Sequence, residues 1–393
     1  MSLDVLRGIA LLGILSMNIR MFSMPASYTN PTNWGDLNGI NLLVFILTDT
    51  LSSLKFMTLF SMLFGAGIVV FASRAEYRTG RSAALHYRRT LWLLIIGLVH
   101  AYLIFYGDVL VTYALCGMLI YSMRNLRPGT LLVLGILTTS VPSLMSLWSG
   151  LHIGDLSVDE LAAESQGWQA SSEYLHTWVA GFQGTWAEQF KWTRRISWYI
   201  QTEIFLTWGA PRAGGSMLIG MALYKWGVLS AGLDHSFYRK LTAVGFLVGL
   251  PIIVFGLWQN FQHQWSFEYS VYIGEQLNYW GSIFLALGYI GLVMLMVKGG
   301  FWPALQRRLA AVGRTALSNY ILQSVICTLI FYGFGLGLFG QVERGGQMLI
   351  VIAVWMLQLW VSPWWLARYR FGPIEWLWRS LTYFRRQPMQ SAN

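Results

Sequence analysis

Residues 40–72 read INLLVFILTDTLSSLKFMTLFSMLFGAGIVVFA, an apolar run of 33 residues. As one helix it would be roughly 50 Å long at 1.5 Å per residue, against a hydrocarbon core of ~30 Å. The run therefore divides at Lys55. Residues 55–72 suffice for one crossing, and Ile40–Leu54 is expected to be interfacial or re-entrant. Such a run has no place in a soluble protein, and the rest of the chain agrees. Of 393 residues, 55% are hydrophobic and only 11% charged, too few charges to coat a water-facing surface of that size. The same figures exclude a disordered chain. The fold class is all-α, a polytopic membrane protein.

Spans need about 20 apolar residues. Ten are expected, near 4–23, 55–72, 91–106, 108–123, 130–149, 196–224, 241–260, 276–297, 315–339 and 347–367. The hairpin between the third and fourth turns tightly at Gly107-Asp108. With the N-terminus cytoplasmic, twenty of the 27 Lys and Arg fall inside. Lys191, Arg194, Arg195 and Arg344 fall outside, and Arg20, Lys55 and Arg212 lie in or beside spans. That asymmetry predicts ten crossings with both termini cytoplasmic. It also accounts for the net charge of +10 without nucleic acid. The organisation is an N-terminal five-helix half (1–149), an extracytoplasmic loop with surface helices at 156–166 and 173–192 (150–195), and a C-terminal five-helix half with a cytoplasmic interfacial tail (196–393). An odd number of helices per half orients the halves oppositely, as in inverted-repeat transporters.

With so few charges, each polar residue inside a span requires an explanation. Asp4 and Arg7 are three apart, share a helix face and can pair. They form either an interfacial ion pair or a grip on the phosphates or adenine of a cytosolic ligand. Asn18 lies about 21 Å further up that helix, where its amide binds a neighbouring helix or polarises a carbonyl. His100 is embedded in Leu98-Val99-His100-Ala101-Tyr102, where it bridges to another helix or serves as a general base. Asp108 suits a helix N-cap, or orients His100, or receives substrate. Gly209-Ala210-Pro211-Arg212-Ala213-Gly214-Gly215 should break the sixth helix. Arg212 there is either paired with Glu203 or exposed to a ligand. Thr315, Asn319, Gln323 and Cys327 form one polar stripe, suited to helix–helix hydrogen bonding. Near the C-terminus, Glu375 and Arg379 are spaced to pair. Two isolated cysteines and six scattered histidines support neither a disulfide framework nor a metal site.

The chain resembles the YeiB-like family of bacterial inner-membrane proteins. The resemblance rests on Leu3-Asp4-x-x-Arg7-Gly8 with Asn18, Lys55-Phe56, Leu63-Phe64-Gly65, His100 with Gly107-Asp108, Gly313-Arg314-x-Ala316-x-x-Asn319-Tyr320 and Gly372-Pro373-Ile374-Glu375-Trp376-Leu377-Trp378-Arg379, and it covers essentially the whole chain. More distantly, the first helix is similar to that of the transmembrane acyltransferase superfamily, which includes the lysosomal heparan-glucosaminide acetyltransferase. That family starts with the same Asp-x-x-Arg-Gly and has an Asn matching Asn18. It also uses a histidine shortly after the Asn, and no histidine lies between Asn18 and His86 here.

This similarity implies an acyltransferase with acyl-CoA as donor, no tightly bound cofactor, and a lipid or cell-envelope sugar as acceptor. His100, Asn18 and Asp108 would be the catalytic set. Asp4, Arg7, Lys55, Glu203, Arg212, Arg314, Asn319, Gln323 and Glu375 would be candidates for substrate contact. A small-molecule or lipid transporter or flippase, suggested by Arg212 and the five-plus-five layout, and a non-catalytic lipid-binding scaffold are the alternatives. The expected partners are membrane lipids, and the expected location is the bacterial inner membrane. The Gly-rich stretch Gly333–Gly340 permits the close packing of a homodimer.

Overall fold

The run at 40–72 folds as two helices in series. In the computed structural model, which describes residues 1–28 and 30–390, the helices are α1 (Ser2–Ser23), α2 (Gly39–Leu51), α3 (Lys55–Thr79), α4 (Ser82–Leu103), α5 (Leu110–Ile120), α6 (Pro128–Leu151), α7 (Val158–Ser165), α8 (Ser172–Gln183), α9 (Trp186–Tyr199), α10 (Ala210–Lys225), α11 (His235–Gln262), α12 (Phe267–Tyr269), α13 (Glu275–Lys298), α14 (Pro303–Arg314), α15 (Ala316–Phe331), α16 (Arg344–Leu366) and α17 (Pro373–Tyr383). No strand occurs among the described residues. The break between α2 and α3 falls at the expected place, where Leu54 adopts φ 64°. However, α2 does not leave the path of α3. Thr48 meets Arg20, Phe56 covers Gly13, and Gly67 lies beside Arg7. The two helices thus pass along α1 in reverse, one after the other, and the interfacial or re-entrant course expected for Ile40–Leu54 is replaced by a continuation.

Among the described residues, six helical segments are long and apolar enough to cross a membrane: Ser2–Ser23, Gly39–Thr79, Pro128–Leu151, His235–Gln262, Phe267–Lys298 and Arg344–Leu366. The other expected spans are shorter or interrupted. Helices α5 and α15 have 11 and 16 residues, and α4 carries His86, Arg88 and Arg89 in its first turns. Of the six, α1 is the central one: 78% of its apolar window is buried, against 22–50% for the others. Their bare flanks carry Leu247, Leu349, Trp360 and Leu144, each more than 60% exposed. Without hydrophobic contrast between helix and lipid, close backbone approach is what holds such helices together. A Cβ on Gly8 would sit 2.1 Å from Leu309 O, and one on Gly313 1.9 Å from Asp4 O, so α1 and α14 touch backbone to backbone. Gly65 and Gly220 do the same for α3 and α10.

Further details differ from expectation. The Gly209–Gly215 stretch does not break the chain. Residues Ile200–Gly209 form a π-helix that leads directly into α10. Pro211 then sits in the first turn of α10, where its missing N–H costs little. The ninth span, expected over 315–339, begins where expected, just after the amphipathic α14, but its helix α15 ends early at Phe331. The surface segment 173–192 is likewise split. Thr185 and Glu188 form a capping box that starts α9, and Ser157 and Glu160 do the same for α7. Finally, Gly333 packs on the backbone of Gln183 and Gly184, and Gly340 N–H donates to Ser23 O, so this glycine stretch is used within the chain.

Candidate functional site

One end of the molecule gathers arginines. Arg7, Arg74, Arg78, Arg89, Arg379 and Arg385 border a vestibule of about 940 Å³, and among the described residues no carboxylate borders it. The sequence brings them together from four elements, α1, α3, α4 and the C-terminal tail beginning at α17. Arg7 is tethered by Asp4 at 2.9 Å. Asp4 itself borders no described cavity, so its part is to orient Arg7. The Arg89 guanidinium lies between the rings of Phe71 (4.7 Å) and Trp378 (4.4 Å). The Trp378 indole N–H donates to Arg89 O at 2.7 Å, clamping α17 onto α4.

The vestibule narrows into an inner cavity of about 260 Å³, with Arg7, Gly67, Arg89 and Arg379 common to both. Arg314 and Glu375 stand in its wall, and Tyr113 and Tyr320 lie at its depth. An outer cavity of about 160 Å³ follows, bordered by Asn18, Tyr28, Asp108, Thr112 and Trp208. Inner and outer cavities meet at Ile14, Val109 and Tyr113. The three spaces therefore lie in series, and the last two share those three residues as their common wall.

Beside that wall is a buried polar triplet. His100 Nδ1 is 2.7 Å from Asp108 Oδ2, and His100 Nε2 is 2.8 Å from Ser324 Oγ. A carboxylate only accepts, so Nδ1–H donates to Asp108, while Nε2 shares a hydrogen bond with the Ser324 hydroxyl, which also lies 3.3 Å from Tyr320 O. The second Asp108 oxygen accepts Val111 N–H at 2.8 Å. Asp108 thus caps the start of α5 and holds His100 in place, so two of the three roles weighed for it coexist. The turn between α4 and α5, Ile104–Val109, is looser than expected and gives the chain room to fold Asp108 back over His100. The geometry changes one expectation. Both His100 nitrogens are occupied and His100 borders none of the described cavities, whereas Asp108 faces the outer one. Asn18 also borders the outer cavity, and its amide makes no hydrogen bond among the described residues.

The remaining candidates separate by position. Arg314 is exposed at the inner cavity. Glu375 does not pair with Arg379. Its carboxylate accepts Leu317 N–H (2.7 Å), Ser318 N–H (3.1 Å) and the Ser318 hydroxyl, closing the N-terminus of α15 from another helix. Asn319 and Gln323 are committed to packing. Asn319 Nδ2 donates to Thr315 and Ser362 hydroxyls, and Gln323 Nε2 donates to Gln358 Oε1, tying α15 to α16. Glu203 is exposed on the π-helix and does not pair with Arg212. Lys55 and Arg212 are buried away from the three cavities.

Ser324, Tyr113, Tyr320, Arg89 and Arg379 enter the site without having been singled out for it. Ser324 is one residue past Gln323, about 100° round the helix from the polar stripe. Arg89 had served only the charge count, and Arg379 the charge count, the C-terminal motif and an expected pairing with Glu375.

Residues 223–385 match a family described as "Protein of unknown function (DUF418)". The chain is 33% identical to "Uncharacterized protein YxaH" of Bacillus subtilis, covering 98% of this chain and 95% of that one. It is 32% identical to "Uncharacterized protein YeiB" of Escherichia coli, covering 97% and 95%. A similarity of 26% extends over 99% of the chain to an "Uncharacterized 39.9 kDa protein in amylase 3'region" of Bacillus acidopullulyticus. The DUF418 match supplies α17 with Arg379, while Asn18, His100 and Asp108 precede it and are covered by the full-length similarities.

Proposed function

The chain belongs to the YeiB-like, DUF418 family, and on that premise we propose that it is an inner-membrane acyltransferase, with ten crossings and both termini cytoplasmic. It takes an acyl group from cytosolic acyl-CoA and delivers it to a hydroxyl or amine on a lipid or envelope sugar across the membrane. The observation that carries this reading is the series of three spaces. A wide arginine-lined vestibule suits the phosphates of a nucleotide-bearing thioester, since Arg binds phosphate bidentately. The narrow inner cavity suits an extended, mostly uncharged arm. The Ile14–Val109–Tyr113 wall is where the thioester carbonyl would meet an acceptor held by Asn18 and Asp108.

The reaction then runs as follows. The acceptor's O–H or N–H proton passes to Asp108, backed by His100. The freed lone pair bonds the carbonyl carbon and the C–S bond breaks. The CoA thiolate leaves toward the vestibule and takes a proton from the medium as the pair returns to its starting state. His100 holds Asp108 in place and stabilises its charge, rather than touching the acceptor itself.

Equilibrium binding of radiolabelled acyl-CoA to purified protein tests the donor. Saturable binding displaced by free CoA is expected. Arg89→Ala should weaken it about 10-fold or more, the loss of one charge-assisted hydrogen bond of ~1.5–3 kcal/mol. No binding, together with solute flux in proteoliposomes, would favour a transporter instead. Neither activity would leave a lipid-binding scaffold.

A further inference from the structure

Outside the linings of the three cavities, α3, α6, α10 and α13 enclose a polar nest. At its centre is Arg212, 1% exposed. Its Nη2 donates to Thr58 Oγ1 (2.8 Å) and Ser282 Oγ (2.6 Å). Its guanidinium carbon is 4.1 Å from the centre of the Tyr279 ring. All of these neighbours are neutral, and the Tyr279 phenol hydrogen is itself spent on Thr139 O. Arg212 Nε and Nη1 have no hydrogen-bond partner among the described residues. Two hydroxyls close by in sequence or contact are in the same condition, Ser216 Oγ one turn along α10 and Thr139 Oγ1 against Gly215. Lys55, 0% exposed and three residues before Thr58 on α3, donates to Asp49 O (2.8 Å) and Asn278 Oδ1 (2.5 Å) without reaching a carboxylate. Lys55 and Arg212 are near enough for their charges to act on each other, and Asp49 acts on Lys55. No described carboxylate forms an ion pair with either cation.

A buried guanidinium with unused donors, no counter-ion and a second buried cation nearby is costly in a membrane interior. Neutral hydroxyls satisfy part of its hydrogen bonding and none of its charge. We propose that this nest binds a small monovalent anion of chloride size, held by Arg212 Nε and Nη1 with the Ser216 or Thr139 hydroxyl completing its shell. The site is separate from acyl transfer and holds whether or not that reading does. Its role is to neutralise the core where α3, α10 and α13 meet.

The test is thermal unfolding of the purified full-length protein at constant ionic strength, with chloride, bromide, nitrate or gluconate as the anion. Chloride and bromide should raise the midpoint saturably, on the order of 2–4 °C, relative to bulky gluconate. Arg212→Gln should abolish the difference between anions. Equal midpoints in all four salts, or an undiminished chloride effect in Arg212→Gln, would overturn the proposal. Should Arg212→Gln not fold, anomalous diffraction from wild-type crystals grown in bromide decides. A bromide peak against Arg212 supports the site, and its absence refutes it.

Discussion

His100 shows how one residue's role depends on what occupies its two nitrogens. Its sequence surroundings marked it as costly unless paired, and Asp108 and Ser324 are the partners that meet that cost. The pairing with Asp108 was legible as an option, because a cap residue eight positions on can fold back across a turn. Ser324 was not legible, since it comes from a helix 224 residues away and stands off the stripe that drew attention to α15. The same limit applies to Asn319 and Gln323, whose polarity was visible but whose partners on α16 were not. His100→Ala should leave acyl-CoA binding intact while lowering transfer by about 10²–10⁴-fold. It should also lower the unfolding midpoint, because removing one member of a buried pair costs about 3–5 kcal/mol. Full-rate transfer by a folded His100→Ala protein would remove the pair from the mechanism.

Among the elements, the long apolar helices and the break before Lys55 were readable from length and hydropathy. The π-helix at 200–209 was not, because Gly and Pro signal a disturbance without saying whether the helix ends or widens. The start of α15 next to Thr315 was readable, but its early end at Phe331 was not, because the apolar run continues past it. Two predictions belong here. Gly8→Val should destabilise the protein by about 1–3 kcal/mol or prevent its accumulation, since its Cβ meets Leu309 O at 2.1 Å. Thermal unfolding checks this, and an unchanged midpoint would mean that α1 and α14 are not in backbone contact. The second concerns α17, whose Glu375 carboxyl is pushed above its ordinary value by burial, against the opposing hydrogen bonds from Ser318 and Leu317. A raised acid binds its proton more tightly when docked, so docking of α17 should be firmest near and below the ordinary value of 4.5 and weaken as pH rises through the raised one. Hydrogen exchange of 373–383 across that range should show this, and Glu375→Gln should flatten the dependence.

At the scale of the whole molecule, the charge asymmetry of the sequence has a physical counterpart. The arginines of the vestibule, distant in the chain, all belong to the set assigned to the cytoplasmic side. Arg344, assigned to the other side, instead donates to Pro31 O, Trp34 O and Asp36 O in the loop after α1. Because Cys116 and Cys327 are both buried, introduced cysteines can report sidedness cleanly. Tyr77→Cys, at a site 93% exposed, should react only with reagent on the cytoplasmic face, and Trp186→Cys, at a site 47% exposed, only on the opposite face. Labelling of both from one side would overturn the orientation. The central claim, that the three spaces form one route for acyl transfer, is tested most directly by sealed proteoliposomes given acyl-labelled CoA on the vestibule side. The account predicts label in lipid or in an enclosed hydroxyl acceptor, dependent on Asp108 and on Arg89. Label that stays on CoA with wild-type protein, under conditions where acyl-CoA is bound, would contradict it.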